Sequence, residues 1–170
     1  MTYQIDQSGK IEQTDKNTVI AYSNGTQRAI LIHRKVKRQI QEMFRERGIT
    51  KYFIYQTFAV GVYLLIRNLK EIQKITIDQE YPEKDRLIKQ IILDLLKKNK
   101  KPAHDLHFAR IGNRPRAHYA AKNVFDRKKR ADEVITKMAD GRLRGCFSTL
   151  VGAQPRPIRK NIAKKKGKVK

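Results

Sequence analysis

The sequence is poor in the residues that build several common kinds of site. Its single cysteine, Cys146, excludes an intrachain disulfide and a zinc site built on cysteines. Tryptophan is absent, and there is no Walker loop and no dinucleotide-binding glycine motif. The longest apolar run, residues 52–66, is too short to span a bilayer. The N-terminus lacks a basic stretch followed by an apolar one, so we expect no signal peptide and a cytoplasmic protein.

Acidic residues are also scarce relative to basic ones. Lys and Arg number 39 and Asp and Glu 16, which gives a formal net charge of +23. A charge of about 2–8 is enough for solubility in a small domain, and a much larger one repels itself unless a polyanion is bound. We therefore expect a nucleic-acid partner, whether RNA, DNA or a hybrid. We expect no membrane partner, because the basic residues do not gather on one amphipathic helix.

The positive charge is divided between two parts of the chain. Residues 140–170 hold 10 basic residues and 1 acidic residue, a net charge of +9, which leaves +14 on residues 1–139. The same segment contains glycine and proline but almost no apolar periodicity. The sequence therefore predicts a folded domain at residues 1–138 and a basic, irregular C-terminal extension at residues 139–170.

Strand signals come first along the chain and helical periodicity follows. Residues 3–6, 18–22 and 28–32 are β-prone, and the Asn-Gly pair at 24–25 predicts a hairpin between the second and third runs. The later elements are predicted as a helix ending before Gly48, a strand at 51–55, a buried helix to about 67, a strand at 74–78, a helix from Pro82 to about 98, a strand at 106–110 and a last helix from about 113 through 135. This order predicts an α/β protein with a mixed sheet and helices on its faces.

Four acidic residues stand out in so basic a chain. Asp6 and Asp78 end predicted strands, Glu80 follows on the side of Asp78, and Asp132 falls in the last predicted helix. Each alone also fits an exposed charge or a partner for a nearby lysine. Carboxylates gathered at strand ends bind Mg²⁺ or Mn²⁺ through oxygen, and two such ions can flank a phosphodiester. The placement of the four acids together therefore predicts a metal site.

The first strand carries a resemblance to a known superfamily. The run Tyr-Gln-Ile-Asp-Gln-Ser-Gly at residues 3–9 resembles the first strand of RNase H-like proteins, and is closest to a branch that opens with Asp-Glu-Ser-Gly. The resemblance covers about residues 1–138. It implies a metal-dependent nuclease in which Asp6, Asp78 or Glu80, and Asp132 bind two ions. Gln7 stands where the close branch has Glu, and the acid expected in the helix after the third strand has only Glu42 and Glu46 as candidates.

Basic residues supply the candidate contacts to nucleic acid. The loop at 110–116 precedes a helix start, where backbone N–H groups and arginines can hold a phosphate, although a turn with surface charges fits equally well. The candidate contacts are Arg34, Lys35, Lys37, Arg38, Arg45, Arg110, Arg114, Arg116, Lys128, Lys129, Arg130, Lys164, Lys165 and Lys166. Two functions therefore stay open, a nuclease and a non-catalytic RNA-binding protein, for example one associated with the ribosome. The basic extension favours the second, since such arms often order only on RNA.

Overall fold

The computed structural model of the protein describes residues 2–112, 115–138 and 141–152. Its strands are β1 (Tyr3–Ser8), β2 (Thr18–Asn24), β3 (Thr26–Ile32), β4 (Lys74–Asp78), β5 (Asp105–Ala109) and β6 (Glu133–Ile135). Its α-helices are α1 (Arg34–Glu46), α2 (Phe53–Ile66), α3 (Asp85–Lys98), α4 (Arg116–Phe125) and α5 (Gly141–Gly152). Among the described residues, none of the helices combines the length and the apolar character needed to cross a lipid bilayer.

All six strands join one mixed sheet, in the order β5-β4-β1-β2-β3-β6. The first three form an antiparallel meander, and Gly25, with φ of 75°, supplies the left-handed backbone of the tight turn between β2 and β3. β4 pairs parallel with β1, and β5 pairs parallel with β4. The predicted α/β class is confirmed. The order of the first five strands is consistent with the RNase H-like fold that the first strand resembles.

The two faces of the sheet are covered by different helices. Side chains alternate along a strand, so Ile5, Ile20 and Ile30 share one face and pack in the main core with α2. On α2, Gly61 lets the helix approach closely, because an added Cβ would stand 2.5 Å from Cδ1 of Ile20. The opposite face carries Ala21 and Ala29 and is covered by α4 through a second, smaller cluster. Asp6 lies on this second face, since it is the register partner of Ala21.

Two predicted elements differ from those observed. Residues 51–55 were expected as a strand, but they form the end of a short 3-10 turn and the start of α2, so the apolar run belongs to one buried helix. The last predicted helix does not continue through residue 135. It ends as α4 at Phe125, and the chain returns as β6, parallel to β3. Glu133 of β6 pairs with Arg67 at 2.9 Å and with Arg28 at 3.3 Å, which fixes this three-residue strand to the sheet edge.

The predicted C-terminal extension is not irregular throughout. Residues 141–152 form α5, and its Leu143, Cys146 and Phe147 are buried in the main core. The rings of Phe147 and Phe44 meet edge to face, with centroids 6.0 Å apart. The irregular conformation expected from the sequence is therefore wrong for this segment. The division of the chain at residue 138 stays a prediction, and residues 153–170 lie outside the described part of the structure.

Candidate metal and nucleic-acid site

Three carboxylates converge at the ends of two adjacent strands. Ile5 of β1 is the register partner of Ile77 of β4, so Asp6 and Asp78 leave neighbouring parallel strands at the same edge of the sheet. Glu80 is brought back to this edge by a turn in which its amide donates to the carbonyl of Asp78 at 2.9 Å. One carboxylate oxygen from each of the three lies within 4.8 Å of the others. Three of the four acids predicted as metal ligands are thus brought together.

The position of each carboxylate is fixed by neighbouring groups. The amide of Gln7 donates to Oδ1 of Asp6 at 2.6 Å, and the amide of Ile111 donates to Oδ1 of Asp78 at 2.9 Å. The second bond joins the loop after β5 to the site. His118 of α4 approaches from the other side, with Nδ1 3.1 Å from Oδ2 of Asp6. These contacts fix the orientation of the Asp6 and Asp78 carboxylates.

Burial makes the negative charges of the site unfavourable. Asp6 is only 6% exposed, and this loss of hydration raises its pKa; the amide of Gln7 lowers it, and the charge of Asp78 raises it further. Burial, with the charges of Asp6 and Asp78, raises the pKa of Glu80 to about 7. A cation placed between these oxygens would offset both the lost hydration and the mutual repulsion.

His118 reaches Asp6 because α4 packs on the sheet through small side chains. The contact between them is made of small residues, Ala21 and Ala29 on the strands with Ala120 and Ala121 on the helix. His118 lies one helical turn before Ala121 and so shares its sheet-facing side. From the sequence, His118 is predicted near a helix start, and no pattern there connects it with Asp6. In the sequence, only the small residues on the strands and on α4 indicate that this helix packs on the sheet at Asp6.

Gln7 is a second residue of the site that was not predicted from the sequence. Its side chain is buried, and its Nε2 donates to the hydroxyl of Tyr81 at 3.1 Å. Its Oε1 has no hydrogen-bond partner among the described residues. Gln7, Glu80, Lys10 and His118 line a groove of about 410 Å³, called the acidic groove below. The side-chain amide of Gln7 also hydrogen-bonds Glu80, so Gln7 contacts one of the three carboxylates, and its unpaired Oε1 is a buried acceptor next to the site.

Known protein families, curated proteins and solved structures give no match to this chain. The likeness to RNase H-like proteins therefore rests on the strand order and on the acids that end β1 and β4. Both are consistent with an RNase H-like fold that carries an acidic cluster.

Asp132 does not join this cluster. Its amide donates to the carbonyl of Ala29, and its Oδ2 accepts the amide of Ala29 at 2.7 Å, so it begins β6 rather than lying in a helix. Asp6, Ala21, Ala29 and Asp132 lie side by side on β1, β2, β3 and the start of β6. Three strand spacings, about 14 Å, therefore separate Asp132 from Asp6. The expectation that Asp132 shares a cation with the other acids is wrong on this geometry.

The predicted nucleic-acid contacts fall into three groups. Lys37 is fully buried, and its Nζ donates to the carbonyls of Lys10 and Gln13 and to the hydroxyl of Thr18, so it is not available to a phosphate. Exposed positions belong to Arg34, Lys35, Arg38, Arg45, Arg110, Arg116, Lys128, Lys129 and Arg130. Arg114, Lys164, Lys165 and Lys166 lie outside the described residues. Arg110 and Arg116 lie on either side of the loop whose Ile111 amide contacts Asp78. Of the predicted contacts, these two are therefore the closest along the chain to a residue that bonds one of the three acids.

Proposed function

We propose that the protein is a nuclease that hydrolyses phosphodiester bonds with Mg²⁺ or Mn²⁺. The observation that carries this proposal is the convergence of Asp6, Asp78 and Glu80 within 4.8 Å at the ends of two parallel strands. Their setting in a chain of net charge +23 matches a polyanionic substrate. The RNase H-like strand order supports the same chemistry, since the superfamily it resembles binds its ions with acids at these strand ends.

The donor set fits a small, hard divalent ion. Mg²⁺ takes oxygen ligands at about 2.0–2.1 Å in an octahedron, so opposite ligand oxygens lie about 4.2 Å apart, and oxygens within 4.8 Å need to move only slightly to share one ion. Asp6, Asp78 and Glu80 would hold the ion, and the side-chain amide of Gln7 would support Glu80. A bound ion of this kind lowers the pKa of a coordinated water and stabilises the negative charge that develops on the phosphate.

The remaining residues of the acidic groove orient the reacting groups. His118 holds Oδ2 of Asp6 from one side, and the amide of Gln7 holds Oδ1 from the other, so the carboxylate is fixed before substrate binds. Lys10 and Lys122 line the same groove and can contact substrate phosphates. The substrate backbone would thus lie between these lysines and the three acids.

A non-catalytic RNA-binding protein is the second candidate. It is favoured by exposed cations far from the acids, such as Lys128 and Lys129 after α4, and by the net charge of +9 on residues 140–170. It does not account for three carboxylates held together, one of them buried and two half-buried, with a cost in hydration at Asp6 and Glu80. The partner of the nuclease is RNA, DNA or a hybrid, and that of the second candidate is RNA. A cytoplasmic location is a prediction from the sequence.

The test compares cleavage by wild type, Asp6→Asn and Asp78→Asn. The substrates are single-stranded and double-stranded DNA and RNA and a hybrid, each with Mg²⁺, with Mn²⁺ and with EDTA. We expect metal-dependent cleavage by wild type and a loss of at least about a hundredfold in each variant, because each removes a direct ligand. The matched control is Asp94→Asn, an exposed acid on α3 that bonds Gln90. Equal cleavage by wild type and Asp6→Asn contradicts the site, and binding without any cleavage favours the second candidate.

A further inference from the structure

A second groove lies beside the acidic groove, around the C-terminal end of α4. It has a volume of about 280 Å³, and its lining includes Lys16, Asn17, Arg34, Phe125 and Arg127. We call it the basic groove. Its residues come from three places: the loop between β1 and β2, the start of α1 and the turn after α4.

The walls of the basic groove are held by specific contacts. The buried Nζ of Lys37 ties the β1–β2 loop to α1 through the carbonyls of Lys10 and Gln13. Oδ1 of Asn17 accepts the amide of Arg34 at 2.9 Å, which leaves the Nδ2 of Asn17 as a donor for a ligand. The groove is therefore formed by fixed backbone segments and not only by long side chains.

The cations of this groove have no partner among the residues that the structure describes. The side chains of Lys16, Arg34 and Arg127 make no hydrogen bond or ion pair with any described residue. Asp15 is the only acid among the described residues that line the groove. Three unpaired cations around one concave surface attract an anion more strongly than the same charges spread over a convex face.

The two grooves meet at Phe125. This half-buried side chain lines both of them, and Gly9 allows the contact between the turn and the ring, because an added Cβ at Gly9 would stand 2.5 Å from the Phe125 ring. Gly9 follows Asp6 by three residues of extended chain, which is about 10 Å. Successive phosphates of an extended strand are about 6–7 Å apart, roughly twice the 3.4 Å axial rise of a duplex, so this distance corresponds to about two nucleotides.

We propose that the basic groove binds the phosphodiester backbone of the substrate strand about two to three nucleotides from the bond that is cut. This inference rests on the proposed nuclease function and specifies its substrate class: a strand that extends at least about three nucleotides beyond one side of the cleavage point. Lys16, Arg34 and Arg127 contact successive phosphates, and the Phe125 ring provides a surface on which a base can stack.

The experiment compares two triple variants with the same loss of charge. The groove variant is Lys16→Gln, Arg34→Gln and Arg127→Asn, where Asn suits the φ of 61° at Arg127. The control is Lys97→Gln, Lys100→Asn and Lys101→Gln at the end of α3, where Lys100 has a φ of 53°. α3 packs on α2, so the control lies beyond the opposite face of the sheet from α4. Binding of a labelled 12-nucleotide single strand is measured in EDTA at several salt concentrations, and cleavage with Mn²⁺ is measured on 4- and 12-nucleotide strands.

We expect the groove variant to bind the 12-nucleotide strand at least about tenfold more weakly than the control variant. The slope of log affinity against log salt is negative, and in the groove variant it should be about 2 less steep than in wild type, because each lost contact to a single strand removes about 0.7. Wild type should cut the longer strand faster, and the groove variant should lose that preference. Arg34→Gln alone, at an exposed position, should show the same trends to a smaller extent.

Equal binding by the groove and control variants overturns the inference. So does wild-type cleavage that does not depend on strand length. Because binding is measured without metal, it tests the basic groove even if no cleavage is found. If the protein binds through the basic groove but never cuts, the nuclease is refuted and the basic groove is kept. If the groove variant cuts both strands as wild type does, the basic groove is refuted and the nuclease is kept.

Discussion

Glu80 occupies an unfavourable position for a negative charge. It is largely buried and faces two other carboxylates, and these raise its pKa from 4.5 to about 7. In the unfolded chain it loses its proton near the lower value. Between the two values the folded protein binds a proton that the unfolded chain does not, so the free energy of unfolding falls as the pH rises through this window. The contribution of Glu80 to the free energy of unfolding is complete below about pH 4.5 and is lost above about pH 7.

The pH dependence of stability can therefore be assigned to this residue. In EDTA, wild type should lose about 3 kcal/mol of unfolding free energy between pH 4.5 and pH 8, because 1 pKa unit corresponds to about 1.4 kcal/mol. Glu80→Gln should lose less than about 1 kcal/mol over the same range. Urea unfolding at a series of pH values measures both. Glu71→Gln, at an exposed position, should behave like wild type, and an identical pH profile for Glu80→Gln would contradict the assignment.

Single residues of the site differed in how far the sequence predicted them. Asp6, Asp78 and Glu80 could be predicted, because strand alternation places acids at strand ends and parallel strands bring those ends together. Gln7 and His118 could not, since their contribution depends on the side-chain contact of Gln7 with Glu80 and on the approach of α4. Asp132 was assigned wrongly because its segment has helical spacing but pairs with β3.

At the scale of elements, one buried side chain connects α1 to the loop that borders both grooves. Lys37 has no exposed surface, and burial lowers its pKa to about 8. Its three acceptors are at 2.7 to 3.0 Å, and two of them are backbone carbonyls of that loop. The sequence predicted a phosphate contact here because Lys37 lies in a run of basic residues. Its neighbours Val36 and Ile40 are buried, however, and Lys37 extends past them into the fold.

Lys37→Met should therefore lower stability more than removal of an exposed charge from the same helix. We expect a loss of about 2–4 kcal/mol in unfolding free energy, because the loop carbonyls lose their donor. Lys35→Met, two residues earlier and exposed, should cost less than about 0.5 kcal/mol. Urea unfolding at pH 7 measures both. Equal effects in the two variants would show that Lys37 does not hold the loop.

Elements with a strong local signal were predicted and those fixed by distant contacts were not. The β2–β3 hairpin follows from its Asn-Gly turn, and β4 has the predicted bounds of residues 74 and 78. β6 has only three residues, and its Val134 is exposed, so its place depends on pairing with β3 and on the Arg67–Glu133 ion pair. The buried side chains of α5 pack against Phe44 and the rest of the main core. No local pattern in this basic, glycine-containing segment reveals that contact.

At the scale of the whole molecule, a net charge of +23 does not neutralise the acidic site. The pKa values of Asp6 and Glu80 are raised in spite of it, because burial outweighs the attraction of lysines and arginines that lie mostly at the surface. The fold thus keeps a small negative site within a positive protein. The surrounding positive charge opposes every cation, so we expect this site to hold only an ion that gains several direct oxygen ligands.

Divalent ions should therefore stabilise the folded protein through these acids. At an ion concentration of about a hundred times the dissociation constant, binding adds about 2.7 kcal/mol, which for a chain of this length raises Tm by about 5–10 °C. Thermal unfolding with MgCl₂ or MnCl₂, compared with NaCl at equal ionic strength, measures the shift. Asp78→Asn should abolish it, and without metal should unfold at or above the wild-type temperature, because one buried repulsion is removed. A shift of equal size in Asp78→Asn would place the ion elsewhere, since the other described acids do not form a comparable cluster.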